Sequence, residues 1–598
     1  MLALILLLPL LLGALLSLIV PGAKNAKYVA FALSIISLLL LPFVSHSASS
    51  LTWLSLQGVT LSISTQIAPL NFVLLLAVLV IGPLIMAYSA GYMDKLSEHR
   101  RFYSEMLIFE AAMVLFAISA NFVSFFIAWE FLTLMSYMLI GFWYSRRSAA
   151  HAARKALSIV FIGDISLFSA IVIFFVSFHT LQFSTIISAL GASGYTPTVL
   201  EYSGALLLLV AVFTKSAQFP FHEWLADAME GPTPVSAFLH SSTMVKAGVF
   251  AVISLLPIFL AFGPTLQEII LAFGLITTVL STLNALRETH IKKIIAYSTV
   301  QELSLMLVLV GIGAYLAAIF FFFVQSFYKA LVFFGSGTAM EASESESLYD
   351  SAGMKSNRIV YVTTAVSVLS IAGILPFSGF FVNTFIGYSV SSYTSPFYIF
   401  FSAIAFLTSL YIFRWFAYPS KSPGRVMPGI KYKATAKSMS YPMAILALLS
   451  LASIGFAIFL MSPAYLSGYP QYFSSGALGI HITDALIETA IAIIGLGAAY
   501  VLYWRHKAPA GTTLPHGVIY TRYAFNRLYE AAASLLTLVG SGAYIFDSYL
   551  NYSIDTFGRD VIQTGNIVRR VSSGNINNYA LAFSVGLLLL FIYAYLVI

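Results

Sequence analysis

The chain has 598 residues, 60% of them hydrophobic and only 9% charged, with a mean hydropathy of +0.91. Soluble domains carry roughly 25% charged residues, so composition excludes a soluble enzyme, a disordered protein, a secreted disulfide scaffold and a nucleic-acid binder. The chain has no cysteine. It therefore holds no disulfide, no thiolate-bound zinc, no iron–sulfur cluster and no thiol nucleophile. The formal net charge of +7 reflects which loops are basic.

About sixteen apolar windows are long enough to cross a bilayer, at roughly 20 residues each. In chain order they fall near 1–20, 28–44, 66–90, 105–120, 121–143, 156–178, 202–221, 233–262, 265–286, 294–312, 314–341, 359–390, 396–418, 441–461, 483–504 and 577–598. The first lysine is Lys24, after the first apolar run, so that run is expected to be a retained helix and not a signal peptide. The runs are continuous and do not alternate, which argues against a transmembrane barrel. The fold class expected is an all-α polytopic membrane protein.

Basic residues cluster in alternate loops: Lys24 and Lys27, Lys95 to Arg101, Arg146 to Lys155, Arg287 to Lys293, Lys421 to Lys437, and Arg505 with Lys507. The loops 45–65, 179–200, 257–267, 391–396 and 462–480 have no Lys or Arg. By the positive-inside rule the basic loops face the cytoplasm and both termini lie outside. Residues 508–576 are more polar. There Phe546, Leu550, Ile554, Phe557 and Val561 recur at helical spacing, an amphipathic pattern. A helix over 519–573 would reach about 80 Å.

Isolated ionisable groups inside apolar runs carry the functional signal, because each is costly at the bilayer centre unless paired or hydrated. Glu130 is alone between Asn121 and Trp143, about 12 Å into its helix. Asp164 is alone in 156–178 and Lys215 in 202–221. Lys246 is alone in 231–267 with His240 six residues before it, and Lys329 is alone across 303–340. A dry site favours the neutral form of an acid or amine, and a neighbour of opposite charge favours the ionised form. Pairs that form and break can therefore pass protons. The bland alternative is that they staple helices together.

Pro220 follows Lys215, and Pro376 with Gly373 and Gly379 interrupts 359–390. Broken helices release backbone carbonyls that must line protein or water, as at transporter ion sites. The breaks fall five windows apart, which suggests two five-helix repeats, 105–262 and 263–418. The flanking segments are then 1–104, 419–507, 508–576 and 577–598. His222, Glu223 and Asp227 match no zinc or iron template, and Gly335-Ser336-Gly337 lies within an apolar run, so neither a metal nor a phosphate site is read there.

The segment Thr214-Lys-Ser-Ala-Gln-Phe-Pro-Phe-His-Glu-Trp-Leu-Ala-Asp-Ala-Met-Glu-Gly-Pro-Thr-Pro-Val-Ser-Ala-Phe-Leu-His240 closely resembles the signature of antiporter-like subunits of proton-pumping respiratory complex I, in particular the large distal L-type chain. Trp129 to Trp143, Ile291 to Thr299, Phe327 to Leu331, Pro376 to Phe381 and Arg570 to Ala580 extend the resemblance, which is weakest over 419–520. The resemblance implies inverted five-helix repeats, discontinuous seventh and twelfth helices, a lateral helix over 519–573 that braces neighbouring subunits, and a sixteenth membrane helix. It implies that Glu130 pairs with Lys215, that Asp164 lies near that pair, and that His240, Lys246 and Lys329 continue a central proton relay. Lys292 is a further candidate. Three positions depart from the pattern. Asn383 stands where the family has a lysine, Gln325 where many relatives have a histidine, and His290 where an acid is usual. An amide cannot change charge, so Asn383 puts the exit half of the relay in question.

The leading expectation is a proton-translocating subunit of a complex I-like quinone oxidoreductase in a prokaryotic cell membrane. The chain itself would hold no cofactor. FMN, iron–sulfur clusters and quinone belong to partner subunits, and other membrane subunits and the lipid bilayer are its neighbours. The alternatives are a subunit of a multisubunit sodium/proton antiporter or a membrane-bound hydrogenase, and a scaffold that does not pump. Large antiporter subunits usually continue with further membrane segments, and the end of this chain at Ile598 favours the respiratory reading.

Overall fold

The structure, a computed structural model, describes residues 2–505 apart from 45–46, 57–58, 95–97, 352, 392–394, 422–429 and 461–480. The expected lateral helix and sixteenth membrane helix lie outside the described residues. The helices, in chain order, are α1 (Leu7–Ile19), α2 (Ala26–Val44), α3 (Pro69–Tyr92), α4 (His99–Ile118), α5 (Phe122–Ile140), α6 (Arg147–Phe178), α7 (Phe183–Leu190) and α8 (Val199–Lys215). After α8 come α9 (Glu223–Asp227), α10 (Thr233–Ser241), α11 (Met244–Ser254), α12 (Leu256–Ala261), α13 (Pro264–Arg287), α14 (Ile291–Gly311) and α15 (Tyr315–Ser343). The series continues with α16 (Arg358–Ala372), α17 (Ser378–Ser391), α18 (Ser395–Lys421), α19 (Ile430–Leu460) and α20 (Ile482–Ala499).

Among the described residues twelve helical spans are long and apolar enough to cross a membrane. Three further predicted windows, 105–120, 202–221 and 359–390, coincide with helices that fall short for definite reasons, and the window 577–598 lies outside the described residues. α4 carries Arg100, Arg101, Glu105 and Glu110, and the windows at 202–221 and 359–390 are cut by the expected interruptions.

One expectation is corrected. The fold is mostly but not purely helical: at the loop 45–65, Ala48–Leu56 (β1) and Val59–Gln66 (β2) form an antiparallel hairpin. Serine and threonine alternate with apolar residues along β2, the period-two pattern of a half-buried strand. Ser62 and Ser64 turn inward, where the Asn121 side-chain amide donates to the Ser62 carbonyl at 2.6 Å and Gln182 donates to Ser64 Oγ at 2.9 Å. Asn121 also caps α5 by accepting from the Ser124 N–H at 3.0 Å. The hairpin thus braces the start of α5.

Among the described residues several charged and polar side chains are enclosed within the helical core. α14 and α15 are buried along nearly their whole length, as are α10 and α11. α6 separates its faces clearly. Phe161, Ile165, Phe168, Val172 and Val176 point outward. The opposite stripe, Ala149, Ala152, Ala153, Ala156, Gly163 and Asp164, is buried. Small residues on that stripe let α8 come close. A Cβ at Gly163 would stand 1.8 Å from Thr214 Oγ1, so only glycine allows the approach that brings residue 164 to residue 215.

Candidate functional site

α8 ends at Lys215, next to its break. Proline at 220 has no N–H to continue a helix. Ala217 takes φ 52°, a left-handed conformation that costs a non-glycine residue roughly 1–3 kcal/mol. The freed backbone groups find partners: Trp224 Nε1 donates to the Thr214 carbonyl at 2.9 Å, and the Phe219 N–H donates to Thr277 Oγ1 at 3.0 Å. An interrupted helix inside the protein is stable on these terms.

Lys215 is fully buried and Asp164 is 3% exposed. Their ion pair spans 3.6 Å. Trp129 Nε1 donates to Asp164 Oδ1 at 2.7 Å and Thr133 Oγ1 to Asp164 Oδ2 at 3.1 Å. The ammonium donates to the Trp129 carbonyl at 3.0 Å and to Thr133 Oγ1, and it stands over the Trp129 ring. The pairing implied for Glu130 is therefore different here. Glu130 is half-buried, within electrostatic range of both Asp164 and Lys215 but outside ion-pair distance, and its Oε1 is buried without a protein partner. Helix geometry accounts for this: Trp129 and Thr133 lie four residues apart on the face of α5 that meets α6 and α8, and Glu130 is turned about 100° from Trp129.

Ser216 and Val245 join the break to α11: Ser216 Oγ donates to the Val245 carbonyl at 2.9 Å. The next residue, Lys246, is fully buried and donates to the Phe322 carbonyl and to Ser326 Oγ of α15. No carboxylate pairs with it among the described residues. His240 is also fully buried, 4.7 Å from the Phe333 ring centre, with both ring nitrogens lacking a protein partner.

Lys329 pairs with Glu302 at 2.9 Å and donates to Ser298 Oγ at 2.9 Å. Gln325 Nε2 donates to Glu302 Oε2 at 2.9 Å, so this departure from the family pattern holds the carboxylate in place. Tyr411 of α18 donates to Ser298 Oγ at 3.0 Å and to Gln301 Oε1, and Gln301 donates to Thr408 Oγ1 at 2.7 Å. Glu302 lies one residue outside the apolar run in which Lys329 is the solitary charge. The usable signal was an isolated acid inside the apolar run 294–312.

The remaining candidates fall around this line. Lys292 is 2% exposed and donates to the Gly231 carbonyl at 2.8 Å. Asn383 lies beside the interruption between α16 and α17 and lines a cavity of about 40 Å³ together with Gln301, Glu302 and Thr408. His290 caps α14, accepting from the Lys292 N–H at 3.2 Å, and contacts Glu346 at 3.1 Å. Asp227 pairs with Lys155 at 2.6 Å and with Lys293 at 3.8 Å.

The sequence candidates Asp164, Lys215, Lys246, Lys329 and Gln325 thus sit in one connected set of contacts running α6–α8–α11–α15–α14–α18, with Glu130 and His240 beside it. Chemically the set alternates amines and carboxylates with hydroxyl and amide groups. Several of its buried polar atoms, on Glu130, Gln218, His240, Ser241, Ser242 and Gln325, have no protein partner. In a native interior such atoms are usually satisfied by ordered water.

Comparison with known proteins bears on this geometry. The family described as "NADH:quinone oxidoreductase/Mrp antiporter, TM" matches residues 119–408, and "NADH-Ubiquinone oxidoreductase (complex I), chain 5 N-terminus" matches residues 53–103. The chain is 31% identical over 562 residues to the NADH-quinone oxidoreductase subunit L of Mycobacterium tuberculosis (strain CDC 1551 / Oshkosh), covering 90% of this chain and 87% of that one. It is 30% identical over 520 residues to the NAD(P)H-quinone oxidoreductase chain 5 of Synechocystis sp. (strain ATCC 27184 / PCC 6803 / Kazusa), covering 77% and 76%. In fold it is similar to a chain of the Mrp complex from Dietzia sp. DQ12-45-1b, with a TM-score of 0.74 and 23% identity, covering 90% of this chain but 60% of that one. The chain is an integral, multi-pass membrane protein and belongs to the family of antiporter-like complex I membrane subunits, the subunit L/5 group related to Mrp.

Proposed function

We propose that this chain is the proton-translocating membrane subunit of a complex I-like quinone oxidoreductase, and that Glu130, Asp164, Lys215, His240, Lys246, Glu302 and Lys329 carry its protons. The observation that carries the reading is the buried series Asp164–Lys215, Lys246 and Lys329–Glu302 on α6, α8, α11, α15 and α14, linked through Ser216, Val245, Ser326 and Gln325. Breaking a buried ion pair leaves a charge uncompensated at a cost of several kcal/mol, so the Asp164–Lys215 contact opens together with a proton shift. When Lys215 turns from Asp164 toward Glu130, the abandoned Asp164 carboxylate takes up a proton and the field at Lys246 changes. Among the described residues Lys246 has no carboxylate of its own, so its charge responds to its neighbours. The Glu302–Lys329 pair repeats the arrangement of Asp164 and Lys215 in the second half.

On this reading the chain is built from two inverted five-helix repeats, 105–262 and 263–418. A sixteenth helix lies at 577–598, and a lateral helix within 519–573 rests along neighbouring membrane subunits. The basic loops face the cytoplasm of a prokaryotic cell and both termini lie outside. Electrons pass through partner subunits that hold FMN, iron–sulfur clusters and quinone. This chain supplies no redox group. Its contribution is the path and the charges that open and close it.

The test uses the assembly purified from its native membrane and reconstituted into liposomes, with proton uptake and quinone reduction followed together. Lys215→Ala is expected to abolish proton uptake attributable to this subunit and so lower protons moved per electron. An unchanged ratio in an assembled complex overturns the reading and leaves the scaffold alternative. Identifying copurified subunits separates the respiratory reading from the antiporter one: iron–sulfur and quinone-site chains support the first, small antiporter chains the second.

A further inference from the structure

Asn383 places an amide, which cannot change charge, on α17 just after the α16–α17 interruption. A different carboxylate stands at the same cavity. Glu488 of α20 is 4% exposed and accepts a hydrogen bond from Ser402 Oγ of α18 at 3.0 Å. It lines the 40 Å³ cavity that Glu302 and Asn383 also line. That volume holds about two or three waters. α20 packs against α17 here: the Cβ position of Gly387 lies 3.6 Å from Asp484 Cβ and 4.0 Å from Glu488 Cγ, ordinary packing distances. The other titratable groups around Glu488 are Asp484, one turn before it on α20, and Tyr398 of α18. No lysine, arginine or histidine forms an ion pair with Glu488 among the described residues.

We propose that Glu488 is the terminal proton carrier of the second half, occupying the role that Asn383 cannot fill. A proton leaving the Glu302–Lys329 pair crosses the cavity through water and joins the Glu488 carboxylate to give the neutral acid. Loss of that proton on the far side restores the carboxylate. Glu488 lies beyond residues 119–408, the segment that the antiporter family model matches. Ser402 orients the acceptor oxygen and is a positioning residue. The inference rests on the proton-translocation reading above.

The experiment compares Glu488→Gln, Glu488→Gln/Asn383→Lys and Lys215→Ala in the reconstituted assembly, with protons moved per electron as the readout. Glu488→Gln is expected to lose part of the proton yield. The double variant, which returns an amine to the same cavity, is expected to recover it. A wild-type ratio in assembled Glu488→Gln, while Lys215→Ala lowers the ratio, overturns the Glu488 proposal alone. A wild-type ratio in both overturns the translocation reading with it. Should Glu488→Gln fail to assemble, Glu488→Asp keeps the charge on a shorter arm: severalfold slower proton uptake supports the proposal, and uptake at the wild-type rate overturns it.

Discussion

At the scale of single residues, burial and partnership decide what each charge can do. Lys215 and Asp164 are both out of water and depend on each other. Asp164→Asn is expected to cost about 3–5 kcal/mol, because it strands a buried ammonium. Asp164→Asn combined with Lys215→Met is expected to cost less than the single change, since no charge is then unpaired. Thermal unfolding of the two variants in detergent checks the order, and a double variant less stable than Asp164→Asn refutes it. The His290–Glu346 contact obeys different rules, lying outside the membrane spans and half in solvent. The His290 hydrogen bond, against an opposing effect of burial, holds the Glu346 carboxyl down at about 2 from an ordinary 4.5. A folded value below the unfolded one means that the contact stabilises the protein above pH 4.5 and loses its effect as pH falls toward 2. Solvent screening limits the gain to about 1 kcal/mol or less. His290→Ala is expected to flatten the acid limb of a plot of melting temperature against pH, and an unaltered limb shows that the contact contributes nothing.

At the scale of elements, helix packing sets which charges meet. The α6–α8 approach depends on Gly163, where a methyl group would stand 1.8 Å from Thr214 Oγ1. Gly163→Ala is expected to force the helices apart and to cost about 1–3 kcal/mol, the usual penalty of overpacking. It is also expected to weaken the Asp164–Lys215 pair without altering either residue. Slower proton uptake with normal subunit assembly would show both effects, and wild-type uptake would show that the pair tolerates the displacement. The hairpin β1–β2 is another element-scale device. Its inward serines meet Asn121 and Gln182, so the start of α5, and with it Trp129 and Thr133, is held by a segment far from the charges.

At the scale of the whole molecule, the described residues expose apolar side chains and enclose charged ones within a largely apolar core. Leu8, Leu12, Leu15, Phe161 and Phe168 are exposed, while His240, Lys246 and Lys329 are fully enclosed. The partnerless polar atoms of His240, Ser242 and Gln325 lie among those enclosed groups. A high-resolution cryo-EM map of the assembly is expected to show ordered water hydrogen-bonded to all three. A dry axis in such a map, with side chains re-paired to protein atoms, would remove the medium that proton transfer between Lys246 and Glu302 requires.

Much of this was legible in the linear sequence. The membrane penalises charge and rewards long apolar runs, so helical windows, breaks at Pro220 and Pro376, and solitary charges such as Asp164 and Lys246 stand out without any knowledge of packing. The serine-rich hairpin is hidden because its strands are partly polar and carry no long apolar run. The partners of Glu302 and Glu488 are not legible in the sequence, because an acid in a helix does not declare which face it lies on or what faces it. Only the tertiary structure decided that Lys215 sits against Asp164 and not Glu130, that Gln325 holds Glu302, and that α20 brings a carboxylate to the cavity beside Asn383. Hydrophobicity is additive along a chain and can be read residue by residue. Partnership between charges depends on the rotation and separation of packed helices, where one turn of a helix or one missing methyl group changes which atoms are within reach.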